Sequence, residues 1–179
     1  MTERNAEICI LAGGMSRRMG RDKARLRLGR KTLLGSVLFE ARKTGLPVRV
    51  IRRDSVPRCG PLGGVYTALK TTKSEAVVFL ACDMPFISRE LITTVLEKLA
   101  PGSSGIFVRL KTVVGFPFAL RCAALSVVES QIERHQFSLQ HLAKTLKAKV
   151  LTMPRRLAPQ LLNINTKQDF LIARCRSSC

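Results

Sequence analysis

The sequence predicts an α/β fold, a mostly parallel sheet covered by helices. Three observations carry that expectation. Short apolar runs alternate with longer amphipathic segments along the chain. The run AVVFLA at residues 76–81 is apolar throughout, as a strand buried on both faces must be. Only one pair of runs is joined by a connection short enough for antiparallel neighbours; the others are separated by helix-length segments.

A first strand at residues 8–11 runs into a loop with Gly13, Gly14 and Gly20, and a helix follows over residues 32–43. Residues 48–51 form a second short strand. It leads into RDSVPRCGPLGG, where Pro57, Pro61 and the glycines exclude regular structure until a helix begins near Leu62. The strand at 76–81 ends on Cys82-Asp83. Pro85 and Ser88 introduce a helix over residues 89–99, with Ser88 as its N-cap. Beyond the turn PGSSG come strands at 106–109 and 113–120, joined through Lys111 and Thr112 as an antiparallel excursion. Helices at 123–134 and 139–146, a strand at 149–152 and a last helix from Thr166 complete the pattern. There is no internal repeat or low-complexity linker, so residues 1–179 are expected to form one domain.

With 179 residues and 46% apolar content, such a domain can bury a core without metals or disulfides. The start, MTERNAEICILAGG, lacks the basic region and long apolar stretch of a signal peptide, and no run approaches the ~18 apolar residues of a membrane span. The expectation is a soluble cytoplasmic protein with no membrane partner. The six cysteines show no C-x-x-C pair or zinc spacing, which fits reduced thiols. The 31 Lys and Arg against 12 Asp and Glu leave a net charge of +19, which draws anionic partners over long range. With no Trp and Tyr66 alone among tyrosines, stacking platforms are scarce, and a dedicated nucleic-acid module is disfavoured.

In open α/β sheets ligands bind beyond the carboxyl ends of the strands, which makes the loop after the first strand a privileged position. Neither G-x-x-x-x-G-K-[ST] nor G-x-G-x-x-G is present. The loop instead reads Gly13-Gly14-Met15-Ser16-Arg17-Arg18-Met19-Gly20-Arg21-Asp22-Lys23. Glycines let backbone N–H groups approach an anion, while Arg18 and Lys23 can neutralise phosphate charge. Arg17 and Arg21 fit a solvated surface equally well, and Asp22 suits a pairing that holds the loop.

Asp83 follows the buried strand at its carboxyl end. A carboxylate there is a natural Mg²⁺ ligand, since that ion bridges one or two carboxylates to substrate phosphates; the alternative is a cap for the next helix, which Ser88 already supplies. Asp54 and the run Gly60-Pro61-Leu62-Gly63-Gly64 follow the second strand. These glycines are turn chemistry, or they let a nucleobase lie against backbone with Asp54 accepting from its edge. Asn165 or Thr166 caps the last helix, or the asparagine reaches an acceptor or metal-bound water.

LAGGMSRRMGRDK, RDS followed by CGPLGG, FLACDMPF and LLNINTKQDF occur in the order found in molybdenum cofactor guanylyltransferases, and the resemblance spans nearly the whole chain. It implies a three-layer α/β/α sandwich with a Rossmann-like sheet, of the nucleotide-diphospho-sugar transferase type. It also implies an enzyme that joins the GMP part of GTP to molybdenum–molybdopterin with Mg²⁺, releasing pyrophosphate. Cofactor-accepting enzymes or chaperones would be its protein partners. Carried over by motif, Leu11, Ala12, Gly13 and Lys23 would contact GTP, with Asp54 near the nucleotide and Asp83 on both Mg²⁺ and nucleotide. Gly14, Arg18, Gly60, Gly64 and Asn165 match positions implicated in activity, Asn165 on the acceptor side. LAGG and GPLGG resemble the guanylyl type, whereas the related cytidylyltransferases usually carry LAAG.

One departure stands out. Relatives have a strand and loop between the first helix and the RDS segment, ending in an asparagine that contacts the nucleotide. Here GSVLFEARKTGLPVRVIRRDS passes directly from helix to the next strand. A sheet strand and one nucleotide contact are therefore expected to be missing. A cytidylyl- or sugar-phosphate nucleotidyltransferase and a non-catalytic nucleotide-binding module remain alternatives.

Overall fold

The computed structural model describes residues 5–13, 23–56, 58–110 and 112–177. The described residues form β1 (Ala6–Leu11), β2 (Arg27–Leu28), β3 (Lys31–Thr32), α1 (Leu33–Arg42), β4 (Val48–Ile51), α2 (Pro61–Thr71), β5 (Ala76–Ala81), α3 (Arg89–Glu97), β6 (Gly105–Leu110), β7 (Val113–Arg121), α4 (Leu125–Glu133), α5 (Leu139–Thr145), β8 (Lys149–Thr152) and α6 (Lys167–Ser177). Short 3-10 turns lie at Lys23–Arg25, Cys122–Ala124 and Arg155–Leu161.

Six strands form the main sheet in the order β4-β1-β5-β7-β6-β8, and β7 alone runs against the rest. The expected antiparallel excursion is thus the β6–β7 hairpin. β1 and β5 are buried on both faces, which is why β5 is apolar throughout and β1 is apolar except for Glu7. Ile8, Ile10, Val78 and Leu80 pack toward α1 and α3, through Leu34, Val37, Leu91 and Val95. Cys9, Leu11, Val77 and Phe79 face α2, α4 and α5, through Val65, Ala68, Val128 and Leu142. Two helical layers therefore enclose the sheet, and each fully buried aliphatic side chain stabilises it by roughly 1.5–3 kcal/mol.

Helix starts follow their side chains. Thr32 Oγ1 accepts from the Gly35 N–H at 2.9 Å, and Ser88 Oγ accepts from the Leu91 N–H at 3.3 Å, the cap expected of that serine. A carboxylate oxygen and an amide oxygen from distant segments complete the start of α3. Glu40 of α1 accepts from the Arg89 N–H at 3.1 Å, and Gln160 accepts from the Ser88 N–H at 3.0 Å.

No strand lies between α1 and β4, where residues 43–47 make only a turn, and β4 is an edge of the sheet. This is the expected gap. At the other side of β5, the ladder to β7 ends at Phe79–Phe118 among the described residues, although β5 continues to Ala81. Pro117 lacks an N–H to continue it, and the register of β7 against β6 shifts at the same level. The carboxyl end of β5 is therefore open beside the overhanging β6–β7 hairpin.

An ion pair between buried Glu7 and partly exposed Arg49 joins β1, β4 and α2. Glu7 is 6% exposed and is gripped from both sides by Arg49, with Nε to Oε2 at 3.0 Å and Nη2 to Oε1 at 2.5 Å. Arg49 also donates to Thr71 Oγ1 at 2.9 Å and to the Ala68 carbonyl at 3.1 Å. A planar guanidinium can make all four bonds at once, which a lysine cannot. Burial pushes the neighbouring Cys9 thiol up to about 12, with Arg49 opposing and Glu7 adding, so Cys9 is a neutral core group. None of the described helices is long and apolar enough to cross a membrane.

Candidate active site

The parallel strands β4, β1 and β5 end side by side. The Ala12 N–H donates to the Ile51 carbonyl at 2.8 Å, and the Cys82 N–H donates to the Leu11 carbonyl at 3.1 Å. The segments that follow, Ala12-Gly13, Arg52-Arg53-Asp54 and Cys82-Asp83, therefore emerge together at the carboxyl edge of the sheet, where such folds bind ligands. Leu11 is buried, Ala12 partly buried and Gly13 exposed.

Asp54 is seated by glycines. A Cβ on Gly13 would lie 3.3 Å from Asp54 Oδ1 and 3.2 Å from the Arg52 carbonyl oxygen. One on Gly64 would lie 3.3 Å from Asp54 Oδ1 and 3.0 Å from Leu11 Cδ2. One on Gly63 would come within 2.8 Å of the Val56 carbonyl and 3.0 Å of Asp54 Oδ2. The carboxylate thus fills the notch between the loop after β1 and the first turn of α2. Gly60 has a different role: its φ of +56° turns the chain into Pro61, and a Cβ there would meet nothing within 4 Å. Thr67 braces the same loop, accepting from the Ser55 N–H at 2.8 Å while donating to the Gly63 carbonyl at 2.7 Å. Gly63→Ala is expected to push this loop outward and destabilise the fold by about 1–3 kcal/mol. In a thermal melt that is a fall in Tm of about 2–12 °C.

Burial raises the Asp54 carboxyl above its ordinary value, and its charge, after burial, raises the thiol of the adjoining Cys59. A group that binds its proton more tightly in the folded state lowers stability as pH climbs from the ordinary value of 3.8 through the higher folded one. Above that window the penalty stays. Asp54→Asn removes it, so the variant's stability relative to wild type should rise between about pH 3.5 and pH 7 in urea titrations. A constant difference across that range would contradict the assignment.

Asp83 is tied to the tail of the chain. Its carbonyl accepts from the Ile164 N–H at 2.9 Å, and Ile164 is fully buried with Leu28, Leu33 and Ala173. That contact brings Asn165 beside the Asp83 segment. The N-cap of α6 is Thr166: its Oγ1 accepts from the Asp169 N–H at 3.1 Å, while Asp169 Oδ2 accepts from the N–H groups of Asn165 and Thr166 at 2.9 and 2.8 Å. Asn165 is exposed and directly follows the Ile164 tether.

Leu11, Ala12, Gly13, Asp54, Gly64, Asp83 and Asn165 are thus gathered at one end of the sheet. Gly14, Arg18 and the side chain of Lys23 lie outside the described residues, although Ala24, next to Lys23, is buried in the core. No group of three or more His, Cys, Asp or Glu side chains able to hold a metal exists among the described residues. A single carboxylate ligand, as Asp83 would supply, suits an ion that draws its other ligands from water and phosphate, as Mg²⁺ does. Sequence reasoning missed Thr67 and the Ile164 tether. The i, i+4 placement of Thr67 after Gly63 could have signalled the first.

Comparison with known proteins is in accord with this geometry. Residues 8–168 match the family described as the MobA-like NTP transferase domain. A probable molybdenum cofactor guanylyltransferase of Aquifex aeolicus is 29% identical over 176 residues, covering 90% of this chain and 86% of the relative. A molybdenum cofactor guanylyltransferase of Syntrophotalea carbinolica is 31% identical over 185 residues, covering 90% and 87%. Among solved structures, molybdopterin-guanine dinucleotide biosynthesis protein A from Archaeoglobus fulgidus shares the fold with a TM-score of 0.76 at 20% identity, covering 96% of this chain and 98% of that one. The 2-C-methyl-D-erythritol 4-phosphate cytidylyltransferase of Thermus thermophilus does so with a TM-score of 0.73 at 18% identity, covering 97% and 98%. With its fold, the strand-end site and a family match over nearly its whole length, the chain belongs to the MobA-like NTP transferase family and is a nucleotidyltransferase.

Proposed function

We propose that this enzyme transfers GMP from GTP to molybdenum–molybdopterin in the cytoplasm, releasing pyrophosphate and forming the guanine dinucleotide cofactor. The observation that carries the reading is the meeting of Asp54, Asp83 and the Leu11–Gly13 backbone at one sheet edge, in a chain whose relatives are named for that reaction. A terminal phosphate oxygen of the acceptor attacks the α-phosphorus of GTP in line. The new P–O bond forms as the bond to the β-phosphate breaks, and pyrophosphate leaves. A phosphate monoester is largely dianionic at pH 7, so the protein needs no general base.

Its residues then position and neutralise. The backbone of Leu11, Ala12, Gly13 and Gly14 lies along the nucleotide, and Lys23 and Arg18 offset triphosphate charge. Asp54 accepts from the N–H groups on the edge of guanine, beside Gly60 and Gly64. Asp83 would hold Mg²⁺, whose charge draws electron density from the phosphates when it is bound. Asn165 orients the acceptor. Cofactor-accepting enzymes or chaperones would take up the product.

Thermal melts with GTP, CTP, UTP and ATP in Mg²⁺ test the base. At about 100 Kd of ligand, GTP should stabilise the protein by about 2.7 kcal/mol, or roughly 5–10 °C, with smaller shifts for the others. Equal shifts with CTP would remove the guanine assignment, and no shift with any nucleotide would remove the reading.

A further inference from the structure

Asp54 stands on a segment with no strand or helix of its own. Residues 52–56 leave β4 as bends, so the carboxylate is placed by what the segment touches. Gly13, Gly63 and Gly64 let it in, and a side chain on any of them would crowd it. Such contacts bar movement toward the glycines but not away from them.

Thr67 acts in the other direction. Its Oγ1 accepts from the Ser55 N–H at 2.8 Å and donates to the Gly63 carbonyl at 2.7 Å, with Ser55 Oγ at 3.2 Å. A helical threonine often bonds the carbonyl four residues before it. What sets Thr67 apart is the Ser55 N–H, twelve residues away in sequence and outside α2. The peptide plane that carries this N–H also contains the Cα of Asp54, so one hydroxyl ties the base of the Asp54 side chain to α2. That helix is itself anchored in the core by Leu62, Val65, Ala68 and Leu69.

We infer that Thr67 is a positioning residue for base recognition, its hydroxyl aiming the Asp54 carboxylate at the edge of guanine. The inference rests on the reading of Asp54 as acceptor for the guanine N–H groups. Guanine offers two of these, at N1 and on its exocyclic amine, whereas hypoxanthine, the base of ITP, offers only the first. A carboxylate aimed at both separates GTP from ITP; a displaced one does not, because hydrogen bonds weaken steeply with poor alignment.

Isothermal titration calorimetry of the full chain with GTP and with ITP, in Mg²⁺ and without acceptor, tests it. Wild type should bind GTP about tenfold more tightly than ITP, the worth of one hydrogen bond to a charged acceptor. Thr67→Val keeps the shape and loses both bonds, and the exposed Ser55 N–H turns to water, so the protein should stay folded. Its preference for GTP should fall to about twofold or less, while Thr67→Ser, which keeps the hydroxyl, should retain the wild-type preference. A loosened fold would weaken both nucleotides alike, so the ratio separates aiming from stability. Asp54→Ala should abolish the preference, and adding Thr67→Val to it should change the ratio no further. An unchanged ratio in Thr67→Val beside a lost one in Asp54→Ala would overturn the role of Thr67 and leave that of Asp54. An unchanged ratio in Asp54→Ala, or no preference in the wild type, would overturn both.

Discussion

Replacing Asp83 with alanine is expected to lower nucleotidyl transfer by about 10³-fold or more while the protein stays folded, as measured by pyrophosphate release and a thermal melt. The two readouts separate because different atoms of Asp83 serve them. The tail is held by its backbone carbonyl, which accepts from Ile164 and is unchanged in the variant. The carboxylate is what a metal and triphosphate would need. A fully active Asp83→Ala enzyme would remove the metal role from this residue.

Arg49→Ala is expected to be the most damaging single change to stability. Removing the guanidinium leaves Glu7 as an uncompensated charge within the sheet and strips partners from Thr71 and the Ala68 carbonyl. Breaking a buried pair from one side costs about 3–5 kcal/mol, which lowers Tm by about 6–20 °C in a domain of this size. Because much of that cost is the stranded charge, Glu7→Leu with Arg49→Met should recover most of it. A double variant no more stable than Arg49→Ala would show that packing around β4 matters more than the charge.

The main elements were legible because each carries its own period. AVVFLA reads as a strand buried on both faces and residues 8–11 as a short strand ahead of the glycine loop, while RELITTVLE shows helical spacing behind a serine cap. The short Lys111-Thr112 connection foretold the β6–β7 hairpin. The β2–β3 hairpin escaped notice because each strand is two residues long, too short for any alternation. Its one local signal was Gly29, which has a φ of +62° in the turn. The Glu7–Arg49 pair escaped for a different reason: a lone glutamate in an apolar strand does not announce a partner 42 residues away.

The site divides along the same line. Motif order led to Leu11, Ala12, Gly13, Asp54, Gly64 and Asp83, and the parallel sheet places the segments bearing them together. Asn165 was ambiguous between cap and contact because both roles need a small polar side chain at a helix start. Thr166 and Asp169 take the cap. What pattern could not show was the reason for the glycines. Only the packing of Asp54 against Gly13, Gly63 and Gly64 explains why side chains are missing there.

The proposed reaction is guanylyl transfer to a pterin-bound phosphate, by a chain in which β4 is the edge of the sheet among the described residues. Incubation of the full chain with Mg²⁺, molybdenum-loaded molybdopterin and each of GTP, CTP, UTP and ATP tests it directly, with pyrophosphate and dinucleotide product measured together. GTP alone should give both products in equal amounts. Equal turnover of CTP, or GTP binding with no pyrophosphate released, would contradict it.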